Sequence, residues 1–374
     1  MRYEFLEQEQ KLIDEAGRVV GTAMAGAAGR DLSDPKQAGE LIKTLAGELA
    51  ATGYMAAGLD DEAPLGVAAM AAMETFAAAA PQVFIPFEMS TRVFGRLVRH
   101  HGTPELRRTI LPALQKGALT GAVALSEAAL NVVNDPLTVN GVRGKDGVVV
   151  SGQKGFVINA GAADMLLVVG ALDDGLGLFL VDRRAPGVTV TPADVMAEYA
   201  PLHIGAVSLD NCVVPADRVV GPVDGKQLIN DIRLWENQVL IAVAVGQMNA
   251  ALLAATAHAK AHRSGGRPVI AYQEVGFKLA EMLTQTQTAQ LMAYKAAWLS
   301  AVGDREAAVM TDCAKVFCAE AAEEVAGAAL RILAAGGLAP ANPAAVAGRF
   351  AKLAQIAGTS TEIARMNIGG EALK

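Results

Sequence analysis

The sequence has few charged residues and few aromatic ones. Of its 374 residues, 19% are charged, 5% are aromatic and 52% are hydrophobic, and the formal net charge is −7 at pH 7. An apolar chain of this length can bury a large core, which excludes an intrinsically disordered protein. No run of Lys and Arg occurs. We therefore expect neither nucleic acid nor an anionic membrane to be the main partner.

Cysteine is scarce, which excludes a disulfide framework. The cysteines are odd in number and lack the spacing of a metal site: Cys212, Cys313 and Cys318. A reducing, cytoplasmic location is the simplest interpretation. The charged N-terminus does not resemble a signal peptide, and the most apolar stretch, residues 239–257, is interrupted by Gln247 and Asn249. We expect a core helix at this stretch and no membrane span.

Motifs for several other chemistries are missing. There is no GxSxG elbow for a serine hydrolase, and the Gly-rich segments do not stand between a strand and a helix as phosphate loops do. His258 and His262 lie one helical turn apart, but no acid shares their face one turn away. We therefore predict no metal site.

The pattern of the chain changes twice along its length. Residues 1–120 have helical periodicity, residues 121–225 form short β-rich runs separated by Gly, Asp and Pro, and residues 226–374 form four long helical segments. This order predicts an α+β fold. It consists of an N-terminal helical domain, a middle antiparallel β-domain and a C-terminal four-helix bundle.

Five segments together resemble one known family. They are GQKGFVINAGAADMLLVVG (152–170), APGVTV (185–190), DNCVVPADRVVG (210–221), RPVIAYQEVGFKLAEM (267–282) and QIAGTSTEI (355–363). In this order and spacing they resemble the acyl-CoA dehydrogenase family over nearly the whole chain. The resemblance implies FAD between the β-domain and the bundle, a site completed by a second subunit, and an acyl-CoA substrate.

The resemblance also implies a reaction and its base. A Glu carboxylate removes the α-proton of a thioester whose carbonyl is polarised by hydrogen bonds, while the flavin takes the β-hydride. The family usually places this Glu in a turn near the C-terminus. Here that position is Gly358 or Ala357, depending on the alignment, and neither side chain accepts a proton. A backbone N–H of the turn can still donate to the thioester carbonyl, and Glu362 matches a later Glu that is not the base.

A second position for the base lies on an earlier helix. Part of the family, including isovaleryl-CoA and some steroid-chain dehydrogenases, has its Glu in a pattern like LDLERLVLAAGPLG. The matching segment here is RLWENQVLIAVAVG, in which the Glu falls on Glu236, ten residues before Gly246. Apolar residues follow it, and burial there would raise the pKa of the carboxyl. Asn237 stands where the family has an Arg near the CoA. The plainer interpretation is an acid favoured by the helix dipole.

The segment expected to face the flavin departs from the family pattern. After Leu125 the chain has SEAALNVV, where the family has TEPGAGSD. Ser126 keeps the hydroxyl, but the Gly-Ser-Asp positions are Asn131, Val132 and Val133, which do not favour close approach to a diphosphate.

Four further positions belong to the expected cofactor site. Phe156 can fill the aromatic position beside the flavin ring, while Ile158 stands where the family has a Thr hydroxyl. Arg263 and Arg331 are the candidates for phosphate contacts, in turns that have lost an aromatic residue and two glycines. The changes fall on functional positions and spare the core motifs, which indicates an altered function on an intact fold.

Three functions stay open at this point. The first is a flavin-dependent acyl-CoA dehydrogenase with Glu236 as base. The second is a non-catalytic structural subunit of a heteromeric acyl-CoA dehydrogenase. The third is a flavin-independent acyl-CoA isomerase, hydratase or lyase that uses Glu236 to shuttle a proton. The resemblance implies a homo- or heterotetramer with a related subunit.

Overall fold

A computed structural model describes residues 4–60, 66–128 and 136–373. The helices are α1 (Glu7–Gly26), α2 (Pro35–Ala50), α3 (Val67–Ala79), α4 (Pro81–Glu88), α5 (Phe94–His101), α6 (Pro104–Gln115), α7 (Gly225–Ala261), α8 (Gln273–Ala301), α9 (Ala307–Leu333), α10 (Pro343–Ile356) and α11 (Thr361–Ala372). The strands are β1 (Gly121–Ala124), β2 (Asn140–Gly144), β3 (Gly147–Val157), β4 (Met165–Leu172), β5 (Gly175–Asp182), β6 (Val188–Pro192), β7 (Gly205–Val214), β8 (Val219–Val223), β9 (Arg263–Ser264) and β10 (Arg267–Pro268). Helices at both ends of a β-rich middle confirm the predicted α+β fold.

The chain forms two compact units that do not follow its linear order. The helical unit comprises Met1–Gly21, Pro64–Phe84 and Arg233–Lys374. The sheet unit comprises Thr22–Ala63 and Ile85–Ile232. The division into domains at residues 120 and 225 stays a prediction.

The sheet unit contains one large mixed sheet. Its strand order is β6-β7-β3-β2-β4-β5-β8, and β1 pairs with β4 off this path. Most neighbours are antiparallel, as expected for this region, but β4 pairs in parallel with both β1 and β2. Parallel pairing requires a long connection, and the chain from β2 to β4 supplies one because it passes through β3. Phe179, Val150 and Leu166 lie in the core of this sheet, each fully buried.

The helical unit is built on α9, which packs against α8, α10 and α11. Most of the buried residues of α9 are alanines, so neighbouring helices can approach closely. α7 is long and apolar enough to cross a membrane by length and composition, but 67% of its most apolar 18-residue window is buried inside the protein. Gln247 of α7 donates to the carbonyl of Ala77 at 2.7 Å. These features are those of a core helix, as predicted.

Candidate functional site

The connecting turn, residues 357–359, joins α10 to α11 in the helical unit. α10 ends at Ile356, and Ser360 caps α11 by accepting a hydrogen bond from the N–H of Ile363. Gly358 adopts φ +62°, a left-handed conformation that costs glycine little and other residues more. The sequence therefore specifies a sharp turn at this point.

The connecting turn lies directly on α7. A Cβ built on Gly358 would lie 2.7 Å from Asn237 Oδ1 and 2.9 Å from Leu240 Cδ1, so no side chain fits there without a shift. It would also lie 3.6 Å from the Cβ of Glu236. The two positions that the sequence offers for the base, one on the turn and one on the helix, therefore meet at one place.

Arg233 joins these two positions. Its Nη1 donates to Glu236 Oε2 at 3.0 Å and to the carbonyl oxygen of Gly358 at 2.8 Å. The side chains of Arg233 and Glu236 are 18% and 16% exposed, so solvent screens the pair only in part. Seven residues that follow, Val239–Val245, are buried. Glu236 thus lies at the edge of a buried stretch, as the sequence predicts.

Asn237 fastens the turn from the same helix. It is buried, its Oδ1 accepts the N–H of Thr359 at 3.0 Å, and its Nδ2 donates to Asp312 Oδ1 at 3.3 Å. The other oxygen of Asp312 accepts Nδ2 of Asn367 at 2.9 Å. Burial raises the pKa of the Asp312 carboxyl against the effect of the Asn367 hydrogen bond. The Asn237 amide is thus occupied by the protein, and its part in binding CoA stays a prediction.

Lys315 fastens the turn from α9. Its Nζ donates to the carbonyl of Ala357 at 3.1 Å and to that of Thr359 at 2.9 Å. The side chain is fully buried, and this burial lowers the pKa of Lys315 to about 7. A buried lysine is costly without compensating hydrogen bonds, and the two carbonyls supply them.

The backbone groups of the turn are almost all in use. All three carbonyls accept from side chains, namely Lys315 for residues 357 and 359 and Arg233 for Gly358. The N–H of Ala357 donates to Leu353 O, and that of Thr359 donates to Asn237. Across the described residues, the N–H of Gly358 has no acceptor. A residue with a carboxylate thus contacts a turn with a spare amide donor, a combination suited to removing a proton next to a carbonyl.

The sheet unit contains the residues expected to face a flavin ring. Leu125 is buried, and its carbonyl accepts Lys154 Nζ at 3.0 Å. The carbonyl of Ser126 accepts the N–H of Gly155 at 2.9 Å, and its hydroxyl has no partner among the described residues. Phe156 is 67% exposed, and nothing lies within 4 Å of a Cβ built on Gly155.

An open aromatic face beside a spare hydroxyl fits a flat, partly polar ring. Ile158, half-buried two residues further on, adds apolar surface but no hydrogen bond. The predicted diphosphate segment, Asn131, Val132 and Val133, lies outside the described residues.

The two candidate phosphate residues lie away from the connecting turn. Arg263 follows the end of α7, roughly 40 Å along the helix from Glu236 at 1.5 Å per residue. It is exposed, and its guanidinium donates to the carbonyl of Gly266 at 2.6 Å in the β9–β10 hairpin. Arg331 lies exposed in the last turn of α9. The structure thus brings together Glu236 with the three substrate candidates, and leaves these arginines on the surface.

Two of the five histidines form a stacked pair. The rings of His258 and His262 lie 4.8 Å apart between centroids. In residues 4–60, 66–128 and 136–373, no group of three or more His, Cys, Asp or Glu is placed to hold a metal ion.

Two residues of the site were missed from the sequence. Lys315 was detectable as the single lysine in the alanine-rich segment Ala307–Leu333. Arg233 was detectable at three residues before Glu236, where helical spacing brings opposite charges together. Neither position shows in the sequence that its partner is the connecting turn, because these contacts join residues far apart along the chain.

A family model, related sequences and a solved structure all connect this chain with acyl-CoA dehydrogenases. Residues 227–373 match the family model "Acyl-CoA dehydrogenase, C-terminal domain". Benzylmalonyl-CoA dehydrogenase of Aromatoleum aromaticum is 30% identical over 71% of this chain and 71% of its own length. Mitochondrial isovaleryl-CoA dehydrogenase of Oryza sativa subsp. japonica is 30% identical over 81% of this chain and 75% of its own. Butyryl-CoA dehydrogenase of Megasphaera elsdenii has the same fold, with a TM-score of 0.89, 24% identity and full coverage of both chains.

Proposed function

Since this chain belongs to the acyl-CoA dehydrogenase family, we propose that it is an oxidoreductase that introduces an α,β double bond into an acyl-CoA thioester. The observation that carries this proposal is the contact of Glu236 with the connecting turn, in which the N–H of Gly358 has no acceptor among the described residues. Acyl-CoA is the substrate class because both relatives are named for CoA thioesters.

Glu236 is the proposed base. Its carboxylate takes the α-proton, and the N–H of Gly358 donates to the thioester oxygen on which negative charge develops. The two groups are needed together, since a weakly acidic proton leaves only when the adjacent carbonyl is polarised. Arg233 holds the base and the turn in a fixed relation, because a single nitrogen contacts both. Asn237 contributes by accepting the N–H of Thr359, which ties the connecting turn to α7.

FAD is the proposed cofactor, as in the family. The sheet unit offers the exposed ring of Phe156 and the spare hydroxyl of Ser126 to hold its isoalloxazine. Leu125 and Ile158 would add backbone and apolar contacts, and the exposed Arg263 and Arg331 would meet phosphate charge. When bound, the flavin supplies the acceptor for the β-hydride.

The assembly and the location belong to the same proposal. We propose a homo- or heterotetramer with a related subunit, in the cytoplasm. Exposed apolar side chains on the bundle support an assembly, among them Phe277, Leu291 and Trp298 of α8.

The test has two measurements on the purified protein, alone and co-expressed with a related subunit. The first is a visible absorption spectrum with identification of any cofactor released on denaturation. The second is reduction of a dye acceptor by a panel of acyl-CoA thioesters. Bound flavin with thioester-dependent dye reduction in the lone protein supports the proposal. Flavin and activity only in the co-expressed pair would instead favour a structural subunit, and conversion of a thioester without flavin would favour an isomerase, hydratase or lyase.

A further inference from the structure

Lys315 is fully buried beside the proposed base, yet no chemical step described above uses it. Its Nζ donates to the carbonyls of Ala357 and Thr359, on either side of Gly358. A methionine would fill the same space without the cost of burying an ammonium group. The choice of lysine therefore needs a reason other than packing.

The carbonyl of Ala357 and the N–H of Gly358 belong to the same peptide group. A donor to the oxygen of a peptide group polarises that group, so its N–H becomes a stronger donor to a further acceptor. An ammonium polarises more strongly than a neutral donor. The N–H affected in this way is that of Gly358, for which the described parts of the chain provide no acceptor.

We propose that Lys315 is a positioning residue that holds the Gly358 N–H in place and strengthens it as a donor to the thioester carbonyl. This inference rests on the proposed function, because the thioester is the ligand that the N–H would meet. Lys315 itself touches neither substrate nor cofactor. It acts through the peptide group of Ala357 and Gly358.

The charged groups facing Lys315 come from three helices. They are Asp312 on α9, Glu236 and Arg233 on α7, and Glu362 on α11. The carboxylates favour the ammonium form, whereas burial and Arg233 oppose it, and burial has the largest effect. The resulting pKa of about 7 means that the ammonium is present below neutral pH and is lost above it. The donor strength of the Gly358 N–H should fall in the same range.

The decisive experiment follows the Gly358 amide by NMR. Labelling alanine with ¹³C at the carbonyl and glycine with ¹⁵N selects Ala–Gly pairs, and the Ala357→Ser variant assigns the signal from Gly358. We expect its amide shift to titrate with a midpoint near pH 7, in the protein as purified and without added ligand. An amide shift that stays constant between pH 6 and 8.5 overturns the proposal, whatever the protein's activity.

Three variants identify the titrating group. Lys315→Met should abolish the Gly358 titration, while Lys352→Met, at an exposed lysine of α10 paired with Glu323, should leave it unchanged. Asp312→Asn should keep the titration and lower its midpoint, because a carboxylate that favours the ammonium is gone. A titration that survives in Lys315→Met, or disappears in Asp312→Asn, overturns the proposal. The Asp312 variant decides the matter even where the Lys315 variant fails to fold.

Ligand binding then tests the link to the thioester. Isovaleryl-CoA and its thioether counterpart, which lacks the carbonyl, are compared by calorimetry at pH 6 and pH 8.5. We expect the thioester to bind more tightly by roughly fivefold at pH 6, as one net hydrogen bond allows, and to lose most of that preference at pH 8.5 and in Lys315→Met. An equal preference at both pH values overturns the carbonyl-binding role. If neither probe binds while Gly358 still titrates, the coupling to Lys315 stands, and the same comparison is repeated with the thioesters of the panel; the proposed function fails when none of them binds.

Discussion

Glu236 and Gly358 lie far apart in the sequence, yet a Cβ on Gly358 would stand 3.6 Å from the Cβ of Glu236. A glutamate on the turn and a glutamate on α7 would therefore compete for the same space. This chain has the helical one, and the glycine leaves room for it. The turn has no acid at the position where the family usually has its Glu, and the proposed base, Glu236, reaches the same place from α7.

The first prediction concerns the base. Glu236→Gln should lower the rate of thioester-dependent dye reduction by at least roughly a hundredfold, because a general base typically contributes that much. The melting temperature should change little. The matched control is Glu281→Gln, which changes an exposed acid of α8 and should keep the rate. An unchanged rate in Glu236→Gln would exclude this residue as the base.

The second prediction concerns Arg233. Arg233→Met removes the donor to Glu236 and to the carbonyl of Gly358, both at partly buried positions. We expect a loss of about 1–3 kcal/mol in the free energy of unfolding and a lower kcat. Arg365→Met is the control, since Arg365 forms an ion pair with Glu320 that is exposed to solvent and therefore contributes little to stability. Equal losses in urea unfolding for the two variants would contradict the bridging role.

The third prediction concerns the turn. Gly358→Ala places a Cβ in a left-handed residue and against Asn237 Oδ1, so we expect a loss of about 2 kcal/mol or more in unfolding free energy. Gly369→Ala is the matched control in the interior of α11, where nothing lies within 4 Å of the added Cβ. That variant should gain roughly 0.5–1 kcal/mol from helix propensity. Chemical denaturation measures both, and a neutral Gly358→Ala would mean that the turn relaxes.

The fourth prediction concerns pH and stability. The pKa of Lys315 is about 7 in the folded protein and 10.5 for a lysine in the unfolded chain. Between these two pH values, the unfolded chain therefore binds more protons than the folded one. Stability from this group therefore rises with pH above 7, by up to about 1.4 kcal/mol per pH unit. Lys315→Met should lack this rise. Parallel stability curves for the two proteins between pH 7 and 9 would show that Lys315 does not titrate there.

The fifth prediction concerns the flavin. Phe156→Ala should leave the unfolding free energy of the cofactor-free protein within about 0.5 kcal/mol, because the ring is largely exposed. It should weaken flavin retention by roughly fivefold, the value of one aromatic stacking contact. Val213→Ala alters another exposed apolar residue of the same sheet and should retain flavin normally. Fluorescence titration with FAD provides the comparison.

The sequence carried the fold because periodicity and turn residues are local signals. The sequence also predicted that Glu236 lies at the edge of a buried stretch, because a run of apolar residues follows it. It did not distinguish Ala357 from Gly358 as the source of the spare N–H. That distinction depends on where α10 ends, because the last helical hydrogen bond takes the N–H of Ala357.

The partners of the connecting turn were beyond sequence patterns for a different reason. Lys315, Arg233 and Asn237 reach it from two helices whose separation and rotation are set by packing. An isolated lysine in an apolar helix signals a buried charge, but the identity of its acceptors is a property of the folded chain. The same holds for Asp312, which joins the network through Asn237.

The connecting turn supplies main-chain groups, and its conformation requires a glycine at position 358. The proposed proton acceptor is encoded separately, at Glu236 of α7. Under the proposed function, a substitution at this one position would change the proton transfer while the main-chain donor proposed for the thioester carbonyl stays in place.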